Sequence, residues 1–110
     1  MEGFSPGRLI RVFIDERDRR GVQPLYTAIV EYLRSKGIAG ATVFRGIEGY
    51  GSHHEIHVAK PFSWVPNVPV LVEVVDEAAK IETILPGLRD LVGEGLLTLE
   101  NVEYLQIVRE

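Results

Sequence analysis

Apolar and polar positions divide this chain into segments of two periods. Over Arg8–Asp15 (Arg-Leu-Ile-Arg-Val-Phe-Ile-Asp) the period is two. Ile10, Val12 and Ile14 fall on one face of a strand, and Leu9, Arg11 and Phe13 on the other, because successive strand side chains point to opposite faces. From Pro24 to Lys36 the period becomes helical: Leu25, Ile29 and Leu33, flanked by Tyr26 and Val30, form one stripe. Pro24 suits the first turn, Arg34 and Lys36 suit the negative end of the helix dipole, and Gly37 can close the helix with a left-handed residue. Ala41–Ile47 then reads as a strand, and Val70–Val75 (Val-Leu-Val-Glu-Val-Val) as the clearest strand of the chain. Asp76 is placed to cap a second helix carrying Ile81, Ile84, Leu85, Leu88, Leu91 and Val92. Pro86 is expected to kink or split that helix, since it deletes a backbone bond. Gly93-Glu94-Gly95 ends it. Leu96–Leu99 and Val102–Val108 read as strands, with Asn101 at a turn or bulge between them.

Between these elements, Gly49 to Pro69 is long and weakly patterned. A strand-like His53–Val58 is followed by Pro61, Pro66 and Pro69, which exclude a long central strand. A segment of this length in so small a domain points to function or motion. The order β-α-β-loop-β-α-β predicts an α+β fold: a ferredoxin-like βαββαβ sandwich, with a four-stranded antiparallel sheet and two helices on one face. It makes a single domain of residues 1–110, with the loop at about 49–69. Several strands are apolar on both faces, yet two helices cover only one. The other face therefore calls for a second subunit, because large bare apolar patches are unusual in monomers.

Composition narrows the function classes. Hydrophobic residues make up 45% and charged residues 25% of the chain, as in ordinary globular domains. The net charge of −4 argues against nucleic acid as a partner. Absence of cysteine excludes disulfides, thiol chemistry and Cys-type zinc sites. No apolar run follows a basic stretch near Met1, and no segment has the length of a membrane span, so the expectation is a cytoplasmic protein without direct membrane insertion.

Candidate chemistry gathers in three places. Gly49 and Gly51, and separately Gly93 and Gly95, are positioned for backbone N–H groups to hold an anion; the plainer alternative is that they only turn the chain or end a helix. All three histidines lie at 53, 54 and 57. His53, Glu55 and His57 share one strand face and offer donors suited to a divalent metal, although a hydrogen-bonding role for His57 is the simpler assignment. Phe62 and Trp64, within the loop, fit either a partner-protein contact or packing at the domain edge. Asp15, Glu16, Glu48 and Glu55 show no acid–base spacing and read as solvated faces. No P-loop, nucleophile elbow or Cys–His pair is present, so an enzyme is not expected.

Five stretches, in this order, resemble one family: Pro24-Leu25-Tyr26, Gly37 to Val43, Arg45 to Gly51 (Arg-Gly-Ile-Glu-Gly-Tyr-Gly), Ile56-His57 and Pro69 to Asp76. The chain resembles the PII-like signalling proteins, within a branch of small, conserved bacterial and archaeal proteins of uncharacterised function. Gly49-Tyr50-Gly51 is similar to the Gly-Phe-Gly that opens the PII T-loop, and Gly93-Glu94-Gly95 to the Gly-Asp-Gly of its phosphate-cradling loop. The resemblance implies a homotrimer that binds an adenine nucleotide between subunits. It further implies signalling through the loop (Tyr50, Phe62, Trp64) to a target protein, a membrane transporter or an enzyme. Arg45, Gly49, Gly51, His57, Gly93 and Gly95 would line the effector site. Leu96 stands where PII has lysine, and Gln106 and Val108 where it has arginines, so a ligand with fewer phosphates than ATP is easier to hold. Arg45, Lys60 and Arg109 remain as cations. The alternative is a metal-binding trimer similar to the copper-tolerance proteins of the same fold, using His53, Glu55 and His57. A small enzyme acting on a nucleotide is a third.

Overall fold

A computed structural model describes residues 2–51, 55–59 and 67–109. Four strands make one sheet: β1 (Ser5–Asp15), β2 (Thr42–Arg45), β3 (Pro69–Glu77) and β4 (Leu96–Tyr104). Two helices, α1 (Leu25–Ser35) and α2 (Ala78–Val92), complete the domain. The sheet order is β2-β3-β1-β4, and every neighbouring pair is antiparallel. This is the expected ferredoxin-like α+β sandwich.

Register explains the core. Ile10, Val12 and Ile14 of β1 face Val74, Val72 and Val70 of β3, and Ile10 and Val12 also pair with Leu99 and Leu97 of β4. Leu25, Ile29 and Leu33 of α1 and Ile81, Ile84 and Leu88 of α2 pack on that face. Burying each such side chain contributes roughly 1.5–3 kcal/mol. The helices touch where the Tyr32 hydroxyl donates to the Ile84 carbonyl, 3.1 Å away. A Cβ on Gly87 would overlap that hydroxyl, so only glycine lets Tyr32 pass.

The opposite face carries an apolar row that is exposed among the described residues. Phe44, Leu71, Phe13 and Leu96 stand in one register row across all four strands. Phe13 is 39%, Phe44 48% and Leu96 59% exposed. In the next row Arg11 donates to Glu73 at 3.1 Å, and it pairs with Glu100 at 2.5 Å.

Several boundaries differ from the sequence reading. Helix α2 is continuous through Pro86; proline forfeits only its own bond to the Glu82 carbonyl, too little to divide an apolar stripe buried on both sides of it. Asp76 does not cap α2. Its buried carboxylate instead accepts from the Ala39 N–H at 2.9 Å and the Glu77 N–H at 2.7 Å, tying the α1–β2 connection to β3. Pro24 precedes α1 as its N-cap rather than entering the first turn. Leu96 to Tyr104 is one strand, with Asn101 paired to Arg8 and no turn between, because β1 starts at Ser5 and offers partners along this length. Beyond Tyr104, residues 105–109 are not strand. Strand β2 is shorter than Ala41–Ile47, since only Thr42–Arg45 pair with β3.

Candidate functional site

One end of the sheet collects the charged and glycine-rich connections. There β1 finishes at Asp15, β2 at Arg45, and β3 and β4 begin. Arg19–Arg20 pairs with Gln23–Pro24 in a short ribbon before α1. A second ribbon, Glu48–Gly49 with His57–Val58, closes the base of the long segment. The Ala59 N–H donates to the Ile47 carbonyl at 2.7 Å and the Gly46 N–H to the Pro69 carbonyl at 2.8 Å, so this base is fastened to the start of β3.

Gly49 owes its place to close approach. A Cβ there would sit 2.8 Å from Pro69 Cγ. Around Gly51 a Cβ would meet nothing within 4 Å. Tyr50 is mostly exposed. Gly93 ends α2 at a positive φ of 70°, its N–H donating to the Arg89 carbonyl at 3.2 Å while the Glu94 N–H reaches back to the Val92 carbonyl at 2.8 Å. Gly95 is pressed on β1: a Cβ would fall 2.8 Å from the Phe13 carbonyl oxygen. Beside this loop a groove of about 880 Å³ runs between α2 and β4, lined in part by Leu85, Arg89, Val92, Leu97 and Leu99.

Two arginine forks dominate the electrostatics. Arg45 donates twice to Glu16, Nε to Oε2 at 2.7 Å and Nη2 to Oε1 at 3.1 Å. Glu16 raises the Arg45 guanidinium above its ordinary value. Arg17 donates to both oxygens of Asp15 at 3.1 Å. Partial burial pushes the Asp15 carboxyl up, but the hydrogen bonds and charge of Arg17, with a contribution from His57, outweigh it and hold it below the usual carboxylate value. Arg17 Nη2 also lies 3.3 Å from His57 Nε2. His57 is buried, consistent with a hydrogen-bonding role.

The expectation that Asp15 and Glu16 are solvated is therefore wrong; each closes an arginine fork. Arg17 was missed as a site residue, and the one signal for it is the acid–base alternation Asp-Glu-Arg-Asp-Arg-Arg directly after an apolar strand. The candidates also divide in space. Arg45, Gly49 and His57 stand at the β2 edge, Gly93 and Gly95 at the β4 edge. With neighbouring strands spaced at ~4.8 Å, these edges are about 14 Å apart. Arg109 is exposed in the segment after β4. His53, His54, Lys60, Phe62 and Trp64 lie outside the described residues. Among the described residues no three His, Asp or Glu side chains gather as a metal site, and no helix is long and apolar enough to cross a membrane.

The DUF190 family model, described as "Uncharacterized ACR, COG1993", matches residues 7–104. The chain belongs to the DUF190 family. A "UPF0166 protein" from Aquifex aeolicus is 38% identical over 100 residues, 91% of this chain and 94% of that one. Among solved structures, CPII from Thiomonas intermedia, bound to ADP and bicarbonate, superposes with a TM-score of 0.69 at 11% identity, covering 94% of this chain and 92% of its own. A PII-like signaling protein from Thermus thermophilus gives 0.66 at 18% identity, covering 93% and 92%. The DUF190 chain thus has the PII-like fold, as its motifs imply.

Proposed function

We propose that this DUF190 protein is a PII-like regulator, a homotrimer that binds an adenine nucleotide between subunits and signals through the segment 50–67. The observation that carries the reading is the gathering of glycine loops and arginine forks at one end of a sheet whose fold is shared with ADP-bound CPII. The division of the candidates between two edges supports a site made by two chains: the β2 edge of one subunit would bring Arg45 and His57, and the β4 edge of the next would bring Gly93–Gly95. The row Phe44, Leu71, Phe13 and Leu96 supplies the apolar surface for association. Leu96, Gln106 and Val108, standing where PII carries cations, favour a di- or monophosphate over a triphosphate. Among the described residues no acid–base constellation calls for catalysis. The target is a protein that reads the loop.

The test is calorimetric titration of the oligomer with AMP, ADP and ATP. Saturable binding of ADP at one site per chain, weakened at least several-fold by Arg45→Gln, is expected. Absence of both heat and thermal stabilisation with all three would remove the nucleotide reading.

A further inference from the structure

We propose that Glu16 is a built-in anion that occupies the Arg45 fork until a phosphate group of the ligand displaces it. The inference deepens the nucleotide reading and rests on it for the ligand's identity.

Three observations carry it. First, the contact is two-pronged, Nε and Nη2 of Arg45 meeting the two oxygens of Glu16 at 2.7 and 3.1 Å. That is the geometry in which a guanidinium also takes a phosphate. Second, the partners are unequally exposed. The Glu16 side chain is 13% exposed, whereas Arg45 is 50% exposed. The carboxylate backs the fork from the protein side, while the arginine remains open to a ligand arriving from solvent. Third, the arrangement recurs one residue away, where Asp15 closes the Arg17 fork in the same manner. Two consecutive carboxylates at the end of β1 thus mask two arginines at the end of the sheet where the candidates cluster. The arginine of each pair is about half exposed, so water screens the attraction and leaves the fork open to exchange.

Displacement has a built-in reporter. The Glu16 N–H donates to the Val68 carbonyl at 2.9 Å, immediately before β3 and at the close of the long segment. Any backbone movement that accompanies release of the Glu16 side chain would be felt at Val68 through this bond.

The experiment compares wild type, Glu16→Gln and the double variant Glu16→Gln, Arg45→Gln, titrated calorimetrically with ADP and separately with inorganic pyrophosphate. Folding is checked by circular dichroism; the glutamine is nearly isosteric. Glu16→Gln is expected to bind both anions about two- to fivefold more tightly, the range spanned by exposed ion pairs, and the double variant to lose the gain. Equal or weaker binding by Glu16→Gln, when wild type binds ADP, would show that Glu16 positions Arg45 and overturn the proposal. A gain that survives Arg45→Gln would overturn it too. A gain for pyrophosphate with no ADP binding by any variant would uphold the masked fork and remove the nucleotide reading. No binding of either anion by any variant would remove both.

Discussion

At the scale of single residues, Asp15 makes the clearest pH prediction. Its folded carboxyl is held below the ordinary carboxylate value, with the contribution of Arg17 exceeding that of burial. A lowered folded value means stability present above the ordinary value, about pH 4, and lost as pH falls through the folded one. Asp15→Asn is therefore expected to lower Tm at neutral pH by no more than about 4 °C, because the arginine of the pair is about half exposed to water. The difference should shrink as pH falls through the folded value, where the carboxylate is protonated in both states. An unchanged deficit in acid would mean that Asp15 matters through its hydrogen bonds to the Arg17 backbone rather than its charge. This scale was the least legible from sequence. Glu16 and Arg45 are 29 positions apart, and no local spacing rule joins them. Arg17 and His57 are 40 apart. Their meeting depends on where β1 and β2 end and β3 begins, which is fixed by strand register.

Elements were more legible, because period is a property of short windows. The stripes of α1 and α2 and the alternation in β1 and β3 are the same positions that are buried in the fold. Boundaries misled where a partner decides them. Asn101 looks like a turn in isolation, but Arg8 stands opposite and keeps it in β4. Pro86 looks like a break, but apolar residues on both sides hold the helix on the sheet. Gly87 belongs here as well. Alanine in a helix interior ordinarily stabilises by about 0.5–1 kcal/mol relative to glycine. Gly87→Ala should do the reverse, since the added methyl overlaps the Tyr32 hydroxyl. A loss of about 1–3 kcal/mol is expected from such overpacking, read by urea denaturation. The double variant with Tyr32→Phe should recover part of it; no recovery would place the clash elsewhere.

For the whole molecule, the exposed row on the sheet face is the surface on which the proposed assembly rests. Phe13 sits at its middle, between Leu71 and Leu96. Phe13→Asp adds a charge that association would have to bury unpaired, a penalty of several kcal/mol. The expected outcome is a shift to single chains in size-exclusion chromatography with light scattering, with the helical circular dichroism retained. An oligomer of unchanged mass would exclude this face as the seat of association. The two-faced character of β1 and β3 was already readable in the sequence; what it could not supply was the pairing of four strands that aligns Phe44, Leu71, Phe13 and Leu96 into one band.

The placing of Arg45 and Gly95 on opposite edges has a consequence for counting. A ligand that needs both edges binds at seams, and a closed ring of n chains has n seams, whereas an open chain of the same length has n − 1. Ligand stoichiometry is then a gauge of ring closure: occupancy per chain should fall on dilution before any chain unfolds, and saturating ligand should draw stray copies back into rings.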